Sequence, residues 1–167
     1  NPAKLKLAGS RDATDTVDAS EEQRVRRLRA LTDGGADHAF EVVGLAETML
    51  LAWKAIRPGA TAIVVGLARK GVEVSLPAIE FLSDKGIRGT YYGSGDPAAD
   101  LPTLAELAAR GELDLAGVVS HVVALDGVNE AFERLRRGEG NRTVLVLDEA
   151  AAGRTPAGAG RAHRATI

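Results

Sequence analysis

The sequence predicts an α/β protein built on a parallel sheet. Segments with strand and helix character alternate along the chain, the order that produces βαβ units. Thr61–Leu67 is almost wholly apolar, as expected of a strand covered on both faces. Glycine is unusually frequent, 19 of 167 residues, which points to many tight turns between short elements.

Taken in order, Asn1-Pro2 reads as an N-cap followed by proline at the first helical position, so a short helix is expected over Ala3–Ala8. Thr14–Asp18 favours a brief strand through Thr14, Thr16 and Val17. Ser20-Glu21-Glu22-Gln23 has the form of a capping box. It is expected to open a helix running to about Leu31, which Asp33-Gly34-Gly35 ends. A strand is expected over Asp37–Val43, broken at Gly44. The helix that follows, Leu45 to Arg57, places Leu45, Met49, Trp53 and Ile56 on one stripe expected to be buried.

Pro58-Gly59 is a turn signal before the apolar strand. Val72–Leu76 alternates and is expected to form a second short strand, with a short helix over Pro77–Ser83 and a strand over Ile87–Tyr92. Gly93 to Pro97 ends that strand. Beyond it the sequence predicts a helix from Asp100 carrying Leu101, Leu104 and Leu107, and a strand at Val118–Val123. A helix with Val128, Phe132 and Leu135 follows, then a last strand at Thr143–Leu147. Residues 149–167 are rich in alanine, glycine and arginine and are expected to be disordered.

Composition narrows the function classes. Lys+Arg 21 against Asp+Glu 23 leaves a net charge of -2, with no overall basic field for nucleic acid or an anionic membrane. No apolar run is long enough to span a bilayer. The sequence contains no cysteine, which excludes disulfides, thiol catalysis and thiolate zinc sites from these residues and fits a cytoplasmic setting. The chain starts at Asn1 without a signal-peptide pattern, and the reading is of a fragment whose upstream portion is missing.

Three constellations suggest chemistry. His38, His121 and His163 are far apart and match no metal-ligand spacing. Ser120 and His121 are strand neighbours and point to opposite faces, which argues against a nucleophile–base pair. Gly93-Ser94-Gly95-Asp96-Pro97-Ala98 matches G-x-G-x-x-A between a strand and a helix. Against a phosphate cradle stand Pro97, which lacks an N–H, and Asp96, which adds negative charge. The remaining candidates are the C-terminal strand ends, Val42-Val43-Gly44, Val65-Gly66-Leu67 and Thr90 to Gly93, where an open parallel sheet receives ligands. On pattern alone, ordinary turn glycines and a ligand-approach site are equally good readings.

Several runs in order carry a family resemblance: Asp33 to Gly44 (D-G-G-A-D-H-A-F-E-V-V-G), Arg57-Pro58-Gly59 to Leu67, and Ile87 to Gly93. Val119-Ser120-His121, Asn129 to Glu133 and Arg142-Thr143-Val144 continue the series. Together they resemble the C-terminal half of a zinc-dependent medium-chain alcohol dehydrogenase, near its glutathione-dependent formaldehyde dehydrogenase-like branch. The resemblance covers about residues 1–148. It implies an incomplete Rossmann domain over residues 1–92, a doubly wound parallel sheet lacking its first strand and glycine-rich turn. Residues 93–148 would be the return of the chain into the catalytic domain, and 149–167 a disordered tail.

The same resemblance implies NAD as cofactor, with zinc supplied only by the full-length protein, and a small alcohol or aldehyde as substrate. Lys4 would approach the adenosine ribose. Val42 and Gly44 would flank the adenosine side, and Val65, Gly66 and Leu67 would pass beside the nicotinamide. Thr90 and Tyr92 would offer backbone groups to the carboxamide, and Arg142 would reach the pyrophosphate. The strand Ile87–Tyr92 would pair with a second copy in a homo-oligomer. No catalytic or metal-ligating residue is expected within the chain, so the fragment alone should be inactive. Leu45 stands where the family often has arginine, and Asp12 where glycine is common. Two alternatives remain: a zinc-free quinone or enone reductase of the same superfamily, and a non-enzymatic nucleotide-binding α/β module.

Overall fold

A computed structural model describes residues 1–147, so the expected disordered tail lies outside the described residues. The chain divides into two compact units, Asn1–Pro97 and the part from Ala98 onward.

The first unit opens with helix α1, Pro2–Gly9, in which the Asn1 side chain accepts from the Ala3 amide as the N-cap pattern requires. Thr14–Asp18, expected as a strand, pairs with no strand among the described residues. Strand propensity acts only where a neighbour supplies a ladder of hydrogen bonds, and none lies alongside. Helix α2 spans Arg24–Leu31. Its expected capping box does not form, because the Asp18 carboxylate takes both the Ser20 amide (2.9 Å) and hydroxyl (2.7 Å). Those bonds hold the Asp18 carboxyl below its usual range.

Strand β1 (Ala36–Glu41), helix α3 (Ala46–Ala55) and strand β2 (Ile56–Val64) form a βαβ unit, and strand β3 (Gly86–Gly89) completes a parallel sheet of order β1-β2-β3. The register runs from His38 opposite Thr61 to Glu41 opposite Val64, so β1 and β2 end together. Below it the pairing jumps to Ala36 opposite Ile56, because Pro58-Gly59 bulges out with Gly59 at φ 76°.

The core lies where α3 covers the sheet. Trp53, Ile56 and Ala62 are fully buried, and Ala52 and Ala60 nearly so. Phe81, from the 3-10 segment Ala78–Ser83, packs on Trp53 at 4.8 Å between ring centroids. The Lys85 ammonium lies 4.7 Å from the centroid of the Trp53 ring and bonds Glu80 at 2.7 Å.

The structure corrects three further expectations here. Leu45 is exposed, not part of the buried stripe, because α3 begins one residue later and turns it outward. Val72–Leu76 forms no strand. Strand β3 stops at Gly89, because Tyr92, Gly93 and Ser94 take positive φ values of 49°, 70° and 58°, which no ladder accommodates.

Helix α4 runs Pro97–Ala109. In the second unit, strand β4 (Val119–Ala124), helix α5 (Val128–Arg136) and strand β5 (Arg142–Val146) form another parallel βαβ unit. Ser120 Oγ accepts from the Asn141 amide at 2.9 Å and so ties the two strands at their start. His121 faces Arg134 of α5 instead, its Nδ1 3.3 Å from a guanidinium nitrogen. The expected divergence of the two neighbours does not hold: the register slips between Val119 and His121, and Ser120 Oγ and His121 Nε2 each lie 3.1 Å from where a Gly140 Cβ would stand.

Candidate functional site

The C-terminal ends of β1 and β2 carry two loops that touch along their backbones. Val42-Val43-Gly44 follows β1, and Val65-Gly66-Leu67 follows β2. The Val65 and Gly66 amides both donate to the Glu41 carbonyl oxygen, at 2.8 and 3.0 Å. Gly44, at φ 87°, sits so close to Leu67 that a Cβ on it would fall 2.4 Å from the Leu67 carbonyl oxygen. A Cβ on Gly66 would fall 2.2 Å from the Gly44 nitrogen. Only glycine fits either place, which lets the two backbones lie in contact.

Around that contact the surface is apolar and open. Val42, Val43, Val65 and Leu67 are all exposed, Leu67 at 89%. Such a rim of unpaired apolar side chains over close-packed backbone suits the flat face of a ligand. The third strand contributes next to it: the Thr90 amide donates to the Val64 carbonyl oxygen at 3.0 Å, and the Thr90 hydroxyl lies 2.9 Å from that of Ser94. Tyr92 is exposed in the left-handed turn beyond, packed edge-on against Tyr91.

Of the residues singled out in the sequence, Val42, Gly44, Val65, Gly66 and Leu67 therefore come together at one place. Thr90 joins them through the β2–β3 pairing. Lys4 lies exposed on α1. Arg142 begins β5 in the second unit, beside an open groove of about 160 Å³ lined by Phe132, Leu135, Asn141 and Leu145.

Sequence reasoning missed Glu41. Its side chain is buried, 3% exposed, and its Oε1 accepts from the Val43 amide (2.7 Å), the Gly44 amide (2.8 Å) and the Thr48 hydroxyl (2.7 Å). Burial pushes this carboxyl up, but the bonds from Thr48, Gly44 and Val43 outweigh that and hold it below the usual range. A signal was present: an acid at the last position of a strand, three residues before the first loop glycine, with a hydroxyl seven residues on at the start of a helix.

The G-x-G-x-x-A run does not build a phosphate cradle. The Ser94 and Gly95 amides point back to Tyr91 and Tyr92 carbonyl oxygens, and Pro97 occupies the start of α4 without a donor. Among the described residues no group of three or more His, Cys, Asp or Glu could hold a metal ion, so their donor set does not fit zinc. Nor is any described helix long and apolar enough to cross a membrane.

Comparison with known proteins identifies the family. Residues 1–110 match the zinc-binding dehydrogenase family. Alcohol dehydrogenase-like 2 of Arabidopsis thaliana is 33% identical over 153 residues, covering 89% of this chain and 40% of its own length. Alcohol dehydrogenase 3 of Hordeum vulgare is 32% identical over 152 residues, with the same coverage. Among solved structures, benzyl alcohol dehydrogenase from Acinetobacter calcoaceticus superposes with a TM-score of 0.81 at 26% identity, over 89% of this chain and 41% of that one. Alcohol dehydrogenase TADH from Thermus sp. ATN1 gives 0.78 at 29% identity, over 89% and 42%. The chain thus spans about two fifths of the length of the relatives it matches. It belongs to the zinc-binding dehydrogenase family, related to the C-terminal half of the zinc-type medium-chain alcohol dehydrogenases.

Proposed function

We propose that this chain is the dinucleotide-receiving part of an NAD-dependent, zinc-type alcohol dehydrogenase. NAD would lie across the strand tips with its adenosine side on Val42 and Gly44 and its nicotinamide beside Val65, Gly66 and Leu67. Thr90 and Tyr92 would meet the carboxamide through backbone groups, Lys4 the ribose and Arg142 the pyrophosphate. The observation that carries this reading is the backbone contact between Gly44 and Gly66 beneath an exposed apolar rim. It is the kind of surface an open parallel sheet offers a flat ligand outside its carboxyl ends.

Hydride transfer from an alcohol needs a site that polarises the hydroxyl, and the described donor set does not fit zinc. That site would belong to a longer protein, and the isolated 167-residue chain would then form no NADH from alcohols. We further propose that the full protein acts in the cytoplasm on a small alcohol or aldehyde, within the glutathione-dependent formaldehyde dehydrogenase-like branch. Among the described residues β3 is an edge strand, and the run Ile87–Tyr92 would pair with a second copy.

The test is calorimetric titration of the chain with NAD, AMP and inorganic phosphate, repeated on Arg142→Ala. Weak binding of NAD, weakened further by the substitution, supports the reading. Binding of inorganic phosphate alone would favour a phosphate-binding module in its place.

A further inference from the structure

Glu41 places a buried carboxylate at the exposed end of a sheet. Burying an ionised group is costly unless hydrogen bonds replace its water. Here they do, and their sources are informative. Two come from the loop after β1, at Val43 and Gly44, and one from Thr48 in the first turn of α3. The carbonyl oxygen of the same residue takes both amides of the β2 loop, Val65 and Gly66. One residue therefore binds each loop by a different group.

The second carboxylate oxygen completes the arrangement. Oε2 is buried without a hydrogen-bond partner. It stands 2.7 Å from where a Gly66 Cβ would be, against the face of the glycine contact. An unpaired buried oxygen is tolerated when its partner oxygen is over-supplied with donors, and Oε1 has three. Glutamate reaches this spot, and a neutral acceptor would hold the three donors less strongly.

We propose that Glu41 is the positioning residue of the dinucleotide site: it touches no ligand, and it fixes the spacing between the loop carrying Val42 and Gly44 and the loop carrying Val65 to Leu67. This rests on the dinucleotide reading above. If the two loops receive the two ends of one ligand, their separation sets how well both ends seat at once. A residue that sets it acts on affinity without contact.

The test uses the 167-residue chain, isotopically labelled, with NAD titrated while backbone amides are followed by NMR. In the wild type, NAD shifts the amides of residues 42–44 and 65–67. Glu41→Gln keeps the shape and removes the charge, and its folded fraction binds NAD about tenfold more weakly, the loss expected for charge-assisted bonds. Thr48→Val removes one donor and leaves the carboxylate, and weakens binding about threefold. In both variants amide exchange speeds up at Val43 and Gly44 more than along β1 and β2.

If Glu41→Gln fails to fold, Thr48→Val carries the test, because it leaves the buried charge in place. Unchanged affinity in a folded variant, or faster exchange spread evenly over the sheet, overturns the positioning role and leaves the dinucleotide reading standing. No NAD-induced shift in the wild type overturns the dinucleotide reading and the role of Glu41 with it.

Discussion

The amide nitrogen of Gly44 and the α-carbon of Gly66 lie so close that a methyl group on Gly66 would come within 2.2 Å of that nitrogen. The obstruction is backbone, which cannot swing aside as a flexible side chain would. Gly66→Ala is therefore expected to force the loops apart and to destabilise the first unit by about 1–3 kcal/mol, as overpacking does. Urea unfolding followed by Trp53 fluorescence measures it. A variant as stable as the wild type would show that the two loops part freely.

Glu41 makes the same region sensitive to acid. Its folded carboxyl is held below the usual range by Thr48, Gly44 and Val43 against the opposing effect of burial. A lowered value means that the fold favours the ionised form. The stability it contributes is fully present above the ordinary glutamate value, about pH 4.3, and is lost as pH falls through the folded value. Wild type and Glu41→Gln should differ most in urea midpoint near neutrality, and the gap should close on acidification. A gap that is constant with pH would mean that the variant loses shape and not charge.

How far the site could be read in advance depends on what each residue type announces. The alternation of strands and helices was visible because Thr61–Leu67 and the Met49, Trp53 stripe are conspicuously apolar, and β2 and α3 formed there, although α3 ends at Ala55, short of the expected Arg57, and Ile56 is buried as the first residue of β2. Val42, Gly44, Val65, Gly66 and Leu67 could be nominated because breakers at strand ends are conspicuous. Thr14–Asp18 misled because its residue types favour a strand only when a neighbour exists to pair with. Leu45 misled because periodicity does not fix where a helix starts to within one residue. Glu41 was overlooked because an acid in a strand ordinarily faces water. Here three donors brought together by the following loop and helix make its burial favourable, and such convergence is a tertiary fact.

Lys85 gives a second buried charge to interrogate. Its side chain is 5% exposed and lies over Trp53 with Glu80 at 2.7 Å. The bond from Lys85 is the main reason that the Glu80 carboxyl is held below its usual range. Lys85→Met keeps the length and apolar stem while removing the ammonium. Glu80 should then titrate at higher pH, readable from its side-chain carboxyl carbon by NMR, and Trp53 emission should change because the cation over its ring is gone. An unmoved Glu80 titration would place the source of its acidity elsewhere.

Ser120 offers a contrast in the second unit, where sequence adjacency to His121 suggests catalysis but the bonds of the two side chains lead elsewhere, to the Asn141 amide and to Arg134. Its Oγ accepts from the Asn141 amide at 2.9 Å, joining the start of β4 to the residue before β5. Gly140 approaches both side chains, with a Cβ there only 2.8 Å from that of Ser120 and 3.1 Å from His121 Nε2, so the turn is built against both residues. Ser120→Ala leaves the Asn141 amide to water, because that residue is exposed. The expected cost is about 0.5–1 kcal/mol, that of one ordinary hydrogen bond. NAD affinity and reactivity toward serine-directed phosphonylating reagents should be unchanged from the wild type. A serine that such a reagent labels, with labelling lost in His121→Ala, would instead make the pair a working nucleophile and base, contrary to the role of the Ser120 hydroxyl as acceptor for the Asn141 amide.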